Sequence, residues 1–85
     1  MKIKVLRTSD GYEGVYIDGI LHDYSDSFSQ DPLYFLKLTE IIADAKKTIV
    51  KSEDFKFCDF SEEDDEEVQS SGDWPCTLND LISSY

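Results

Sequence analysis

The chain lacks most of what a small protein needs to carry out chemistry. It has one histidine, His22, with no serine, cysteine or metal-ligand companion at a recognised spacing. General-base work needs a positioned nucleophile or substrate groove as well, so His22 reads as a strand histidine that packs or hydrogen-bonds. No nucleophile-elbow glycines and no phosphate-cradling loop accompany the serines and threonines. Only two cysteines occur, Cys58 and Cys76, with seventeen residues between them and neither a C-x-x-C pair nor clustered histidines. That spacing encodes no zinc or redox site, and in a reducing compartment both are expected as free, partly buried thiols. The acids after Asp59 do not follow the ligand spacing of an EF-hand, so no metal and no cofactor is expected. No catalytic residue is assigned, and the chain is not read as an enzyme.

Long apolar runs are also missing. The opening MKIKVLRTSDGYEG is too polar for a signal peptide, and no window approaches a membrane span. The expectation is a soluble cytoplasmic protein. Basic residues are scarce, eight against nineteen acids, giving a formal charge of -11 in 85 residues. The imbalance sits in one part of the chain: residues 1–51 carry eight acids and seven bases, residues 52–85 eleven acids and Lys56 alone. Such a surface repels nucleic acid and anionic lipid and attracts basic protein surfaces. Direct nucleic-acid or membrane binding is therefore not expected.

What is present suffices for one small domain. Eleven aromatics together with Leu, Ile and Val provide a core, though at this length only about 60–65% of the unfolded surface is buried. Ile3 and Val5 alternate with lysines between Lys2 and Arg7, the period of a half-buried strand. Asp10-Gly11 marks a turn. Gly14–Ile17 and Ile20–Tyr24 flank Asp18-Gly19, whose residues tolerate the positive φ of a type I′ hairpin. These three strands predict an antiparallel meander. After a polar loop over Ser25–Gln30, Asp31-Pro32 supplies a helix cap and a first-turn proline. Leu38, Ile41, Ile42, Ala45 and Ile49 follow at spacings of three and four and predict the face that packs on the sheet. Lys37, Glu40, Asp44, Lys46 and Lys47 lie on the other side.

Phe55, Phe57 and Phe60 fit either a fourth strand or a clamp of aromatics returning to the core. Ser61 with Asp64 resembles a capping pair and Gly72 a helix stop, but six adjacent acids repel one another, so residues 61–73 are expected as a loop or a marginal helix. Thr77 with Asp80 precedes Leu78, Leu81 and Ile82 and predicts a short terminal helix. The fold class is α+β: a three-stranded antiparallel sheet, extended to four if the Phe55 segment joins, one main helix, and a short C-terminal helix. A free sheet edge could pair with a second copy, so a homodimer stays open.

The acids themselves have two readings. One is a solvated run that keeps a small protein soluble. The other is a working surface, because Asp59 and Glu62–Glu67 place seven carboxylates in nine residues, between Phe60 and Trp74. Duplex DNA carries one charge per about 1.7 Å of axis, so an ordered ridge of this density could imitate a phosphate track. Trp74 covers the edge of a thin core or serves as an exposed anchor. Tyr12, Tyr16, Tyr24 and Tyr34 are expected to pack with one end wet.

Small size, acidic balance, a hairpin followed by a helix and no catalytic constellation together resemble the small phage-encoded inhibitors, such as anti-CRISPR proteins and other DNA mimics. In a looser sense the chain is similar to acidic immunity proteins that neutralise nuclease toxins. The resemblance implies stoichiometric blocking of a host protein's basic, nucleic-acid-binding surface. The contact residues would be Asp59, Glu62, Glu63, Asp64, Asp65, Glu66, Glu67 and Asp73, with Trp74 as anchor. A structural or adaptor module, with passive acids and a sheet-and-helix interface, is the alternative.

Overall fold

The computed structural model describes residues 1–26, 28, 31–47 and 49–85. Of the polar loop expected over Ser25–Gln30, Ser27, Ser29 and Gln30 lie outside the described residues.

The two Asp-Gly pairs divide the first part of the chain as their turn chemistry requires. Strands β1 (Ile3–Arg7), β2 (Tyr12–Ile17) and β3 (Ile20–Asp26) form an antiparallel meander. Asp18 (φ 50°) and Gly19 (φ 86°) both occupy the left-handed region, and the Asp18 carboxylate accepts the backbone N–H of Lys2 at 3.0 Å. The β2–β3 register slips between Val15 and Tyr16, which leaves His22 as an extra residue on β3. Such a bulge twists the strand away from regular pairing.

Helix α1 (Pro32–Lys46) starts where Asp31 accepts the N–H of Leu33 at 3.0 Å, with Pro32 in its first turn. Its buried stripe differs from the expected one. Leu38 and Ile42 are buried, but they are joined by half-buried Tyr34 and Phe35, while Ile41 is 56% exposed and Ala45 is also exposed. Ile49 lies beyond the Lys47 cap and is 80% exposed. The two rings offer more apolar area than Ala45 or Ile49, and they turn the helix toward themselves. Phe35 meets Phe55 and Phe57 edge-on, with ring centroids 5.7 and 5.8 Å apart.

The Phe55 segment is a strand, β4 (Phe55–Asp59), and it corrects the antiparallel expectation. It pairs in parallel with β1, from Ile3↔Phe55 to Arg7↔Asp59, in a mixed sheet of order β3-β2-β1-β4. A parallel partner requires a crossover of a dozen or more residues, and α1 supplies it by carrying the chain from one sheet edge to the other.

Pairing places Ile3, Val5, Val15 and Phe55 on the face under α1. The opposite face carries Leu6 and Tyr16, both fully buried, beneath a second layer. That layer consists of helix α2 (Glu62–Ser71) and the tail that follows it, which contribute Val68, Trp74, Leu78, Leu81 and Tyr85 around Phe60. The sheet is thus covered on both sides. The expected terminal helix is a single 3-10 turn, Leu78–Asp80. Thr77 turns its hydroxyl to the Asp80 carboxylate at 3.1 Å and caps no backbone N–H, so nothing extends the turn into an α-helix. No described helix is long and apolar enough to cross a membrane.

Candidate functional site

Six neighbouring acids form a helix here because each end and each side of α2 is held. Ser61 caps it: its hydroxyl oxygen accepts the Asp64 N–H at 3.4 Å and its O–H donates to the Asp64 carboxylate at 3.1 Å. Glu62, Glu63, Asp64 and Asp65 all fall in the first turn, where the helix dipole favours negative charge. Gly72 ends the helix at φ 72°, returning its N–H to the carbonyl of Val68 at 2.9 Å. A side chain at that φ would be strained.

Helical spacing then sorts the acids into three groups. Asp64 and Val68, four residues apart, face inward. Asp64 is 1% exposed and ties down the tail, accepting N–H bonds from Ile82 (2.8 Å) and Ser83 (3.1 Å) and the Tyr85 hydroxyl (2.5 Å). Burial by itself would raise the pKa of this carboxyl. The bonds from Tyr85, Ile82, Ser83 and Ser61 outweigh burial and hold it below the ordinary aspartate value. Burial and the neighbouring Asp64 push the Tyr85 phenol upward in turn. Asp64 is therefore corrected from contact acid to structural clasp: a buried carboxylate with four donors has nothing left for a partner.

Asp65 and Gln69 form the second group. Asp65 accepts the Ser9 backbone N–H at 3.0 Å, and Gln69 donates to the Ser9 hydroxyl (2.7 Å) and to Asp65 (2.8 Å), pinning α2 to the β1–β2 turn. Bonds from Gln69 and Ser9 lower the Asp65 pKa. Asp65 is half-buried and only part of it remains open.

Glu62, Glu63, Glu66 and Glu67 make up the third group. All four are exposed, and none forms an ion pair with a described residue. At 1.5 Å rise per residue they occupy about 7.5 Å of helix axis, about one charge per 2 Å. Asp59, at the end of β4, and Asp73, after the helix, are exposed at either side.

Trp74 is occupied within the fold. It stacks on Tyr24 (centroids 5.5 Å, 20°) and leans on Phe60 (5.4 Å, 51°). Its ring lies directly over Gly14, where a Cβ would come within 2.4 Å of Trp74 Cζ3. The indole serves as a lid on the second core, the core-edge alternative of the two expected. Beside it, the fully buried Tyr16 donates its hydroxyl to the Pro75 carbonyl at 2.7 Å, and burial followed by the nearby Cys76 and Asp80 raises its pKa.

The aromatic that sequence reading passed over is Phe57, 57% exposed on β4. Its alternation with Phe55 was visible, but not that β4 would be an edge. His22 is exposed beside a shallow groove of about 230 Å³ lined by Ile17, Ile20, Ile41 and Ile42. Cys58 is half-buried, Cys76 exposed, and both are free. A cavity of about 660 Å³ opens between Lys2, Lys4, Asp18, Asn79 and Tyr85, and Lys4 Nζ is engaged by the Tyr85 carbonyl oxygen. Among the described residues no three His, Cys, Asp or Glu side chains are grouped to hold a metal ion.

No protein-family model, no curated protein and no solved structure matches this chain.

Proposed function

We propose that this protein is a non-catalytic inhibitory binding protein, of phage or mobile-element type, that acts in the host cytoplasm by occupying a basic nucleic-acid- or phosphate-binding surface of a host defence protein. The observation that carries the reading is the outward face of α2. Glu62, Glu63, Glu66 and Glu67 are exposed, form no ion pair among the described residues, and are held in fixed spacing by a helix whose other two acids are used to fasten it. Their density, about one charge per 2 Å, approaches the 1.7 Å of duplex DNA, over a length equal to roughly two base pairs. Asp59 and Asp73 widen the field at either end. A patch this short steers and contributes contacts, so shape and apolar contacts must supply the remaining specificity. Neutralisation of a nuclease toxin by an immunity protein uses the same chemistry, and a toxin gene beside this one would distinguish it.

The test is a tagged capture from bacterial lysate with added duplex DNA and with added salt, run beside a variant carrying Lys at 62, 63, 66 and 67. The captured protein is expected to bind DNA, to be displaced by DNA and salt, and to be missed by the variant while its circular dichroism stays folded. A partner retained by the quadruple variant overturns the reading. The adaptor alternative has one observation in its favour, the apolar groove between β3 and α1 with Ile20 and Ile41 exposed. Under it, Ile41→Glu abolishes capture and the quadruple variant does not.

A further inference from the structure

The two edges of the sheet are not equivalent. Along β3, the Leu21 N–H is bonded to the Cys76 carbonyl (2.8 Å), the Leu78 N–H to the Gly19 carbonyl (2.9 Å), and Thr77 bridges Ile20, while the His22 bulge breaks the register further on. Tail and bulge both blunt that edge. Among the described residues β4 has neither device.

The orientation of β4 follows from one bond. The Phe60 N–H reaches inward to the Arg7 carbonyl at 3.0 Å, and in a strand successive residues turn their N–H and C=O to alternate sides. Lys56 and Cys58 therefore point toward β1, whereas Phe57 and Asp59 present N–H and C=O outward, where no described residue bonds them. The same two residues share one sheet face. There Phe57 rests on Phe35 with its other side open, and Asp59 stands beside Arg7, whose guanidinium is turned to Glu13 at 3.6 Å.

We infer that the outer edge of β4 is a docking edge for an extended basic segment of the partner, which adds to the sheet as a fifth strand. Main-chain bonds to Phe57 and Asp59 hold it, and alternation fixes its side chains. One apolar residue sits on the open side of Phe57, and two residues along it, on the same face, a Lys or Arg meets Asp59. Charge selects this occupant over a second copy, since two chains of -11 repel. The inference rests on the acidic face being the binding surface, and it replaces Trp74 with Phe57 as the aromatic anchor.

The probe is a labelled eight-residue peptide, Thr-Val-Thr-Lys-Thr-Val-Thr-Lys, which sets Val and Lys two residues apart on one strand face; it is compared with the same peptide methylated at every backbone nitrogen, against the full chain. Binding is read by fluorescence anisotropy and by amide hydrogen exchange. The unmethylated peptide is expected to bind at least tenfold more tightly, to slow exchange at Phe57 and Asp59 at least tenfold, and to leave His22 to Asp26 unchanged. Phe57→Ser, checked by circular dichroism, is expected to weaken it about tenfold. Equal, salt-sensitive binding of both peptides that is lost in the double variant Glu66→Lys, Glu67→Lys would overturn the docking edge and leave the acidic face standing. Binding of neither overturns both. Phe57 and Asp59 amides already slow in a sedimenting dimer would assign the edge to a second copy and overturn the proposal.

Discussion

Replacing Asp64 by asparagine is the most direct probe of how the acidic face is built. The change conserves shape and removes one acceptor oxygen and the charge. Oδ1 takes the Ile82 N–H, whereas Oδ2 takes Ser83, Tyr85 and Ser61. An amide at the second position can still donate to the two hydroxyl oxygens, but it confronts the Ser83 N–H with another donor. One backbone bond to a charged acceptor is lost, about 2 kcal/mol. Asp64→Ala strips all four bonds from a buried cluster and costs about 3–5 kcal/mol. An 85-residue domain has only about 4–13 kcal/mol in total, so the alanine variant approaches the unfolding threshold and the asparagine variant remains measurable. In urea, with m about 1 kcal/mol/M, Asp64→Asn lowers the midpoint by about 2 M. Glu66→Gln, on the exposed face, moves it by less than about 0.5 M. Acid dependence adds a second signature. The folded carboxyl titrates below the unfolded one, so its contribution is complete above about pH 4 and is lost as pH falls through the lowered folded value. Asp64→Asn should flatten that acid limb. If the urea midpoints of Asp64→Asn and Glu66→Gln coincide, the clasp carries no weight and the account of α2 is wrong.

Other expectations concern the second core. Gly14→Ala drives a methyl into the Trp74 ring, so the indole must shift; the expected loss is about 1–3 kcal/mol, seen as a red-shifted tryptophan emission and a melting temperature lower by about 10 °C. Unchanged emission would mean that Trp74 is not seated on Gly14. Tyr16→Phe leaves the Pro75 carbonyl without its donor and costs about 1 kcal/mol in urea unfolding. Because the folded Tyr16 phenol titrates above the unfolded value, its contribution is complete below about pH 10 and is lost as pH rises toward the raised value; the variant should lose that part of the alkaline unfolding limb. Tyr34, pushed up to about 12 by burial and then by Asp23, is expected to titrate late in ultraviolet absorbance, a component that Tyr34→Phe removes.

Local chemistry made several elements legible and left others hidden. Asp18-Gly19 and Asp31-Pro32 announce their structures because the backbone demand lies within the pair itself. The direction of β4 has no such local source. Phe55, Phe57 and Phe60 read alike in a parallel or an antiparallel strand, and only the length of the α1 crossover decides between them. The stripe of α1 was assigned from aliphatic spacing, and Tyr34 and Phe35 turned it. At α2 the Ser61–Asp64 pair and Gly72 were visible as caps, yet charge repulsion weighed against a helix. What could not be read was that Asp64 points inward, because a carboxylate is assigned to water until the donors that surround it are known. Those donors, Ile82, Ser83 and Tyr85, lie about twenty residues away. The same blindness hid the second layer: with Val68 as its sole buried apolar residue, α2 shows no amphipathic stripe.

The clasp at Asp64 also separates how much charge the protein carries from where that charge stands. A ten-residue helix has little persistence in water by itself. Here its geometry comes from Ser9, dozens of residues before it, and from a tail formed after it. Deleting residues 81–85 would leave every outward glutamate in place and remove the ruler that spaces them. A partner that responds to total charge would bind the shortened chain as before, whereas one that measures intervals would release it. Comparing the affinity of the two chains for one captured partner, at equal salt, distinguishes an electrolyte from a template.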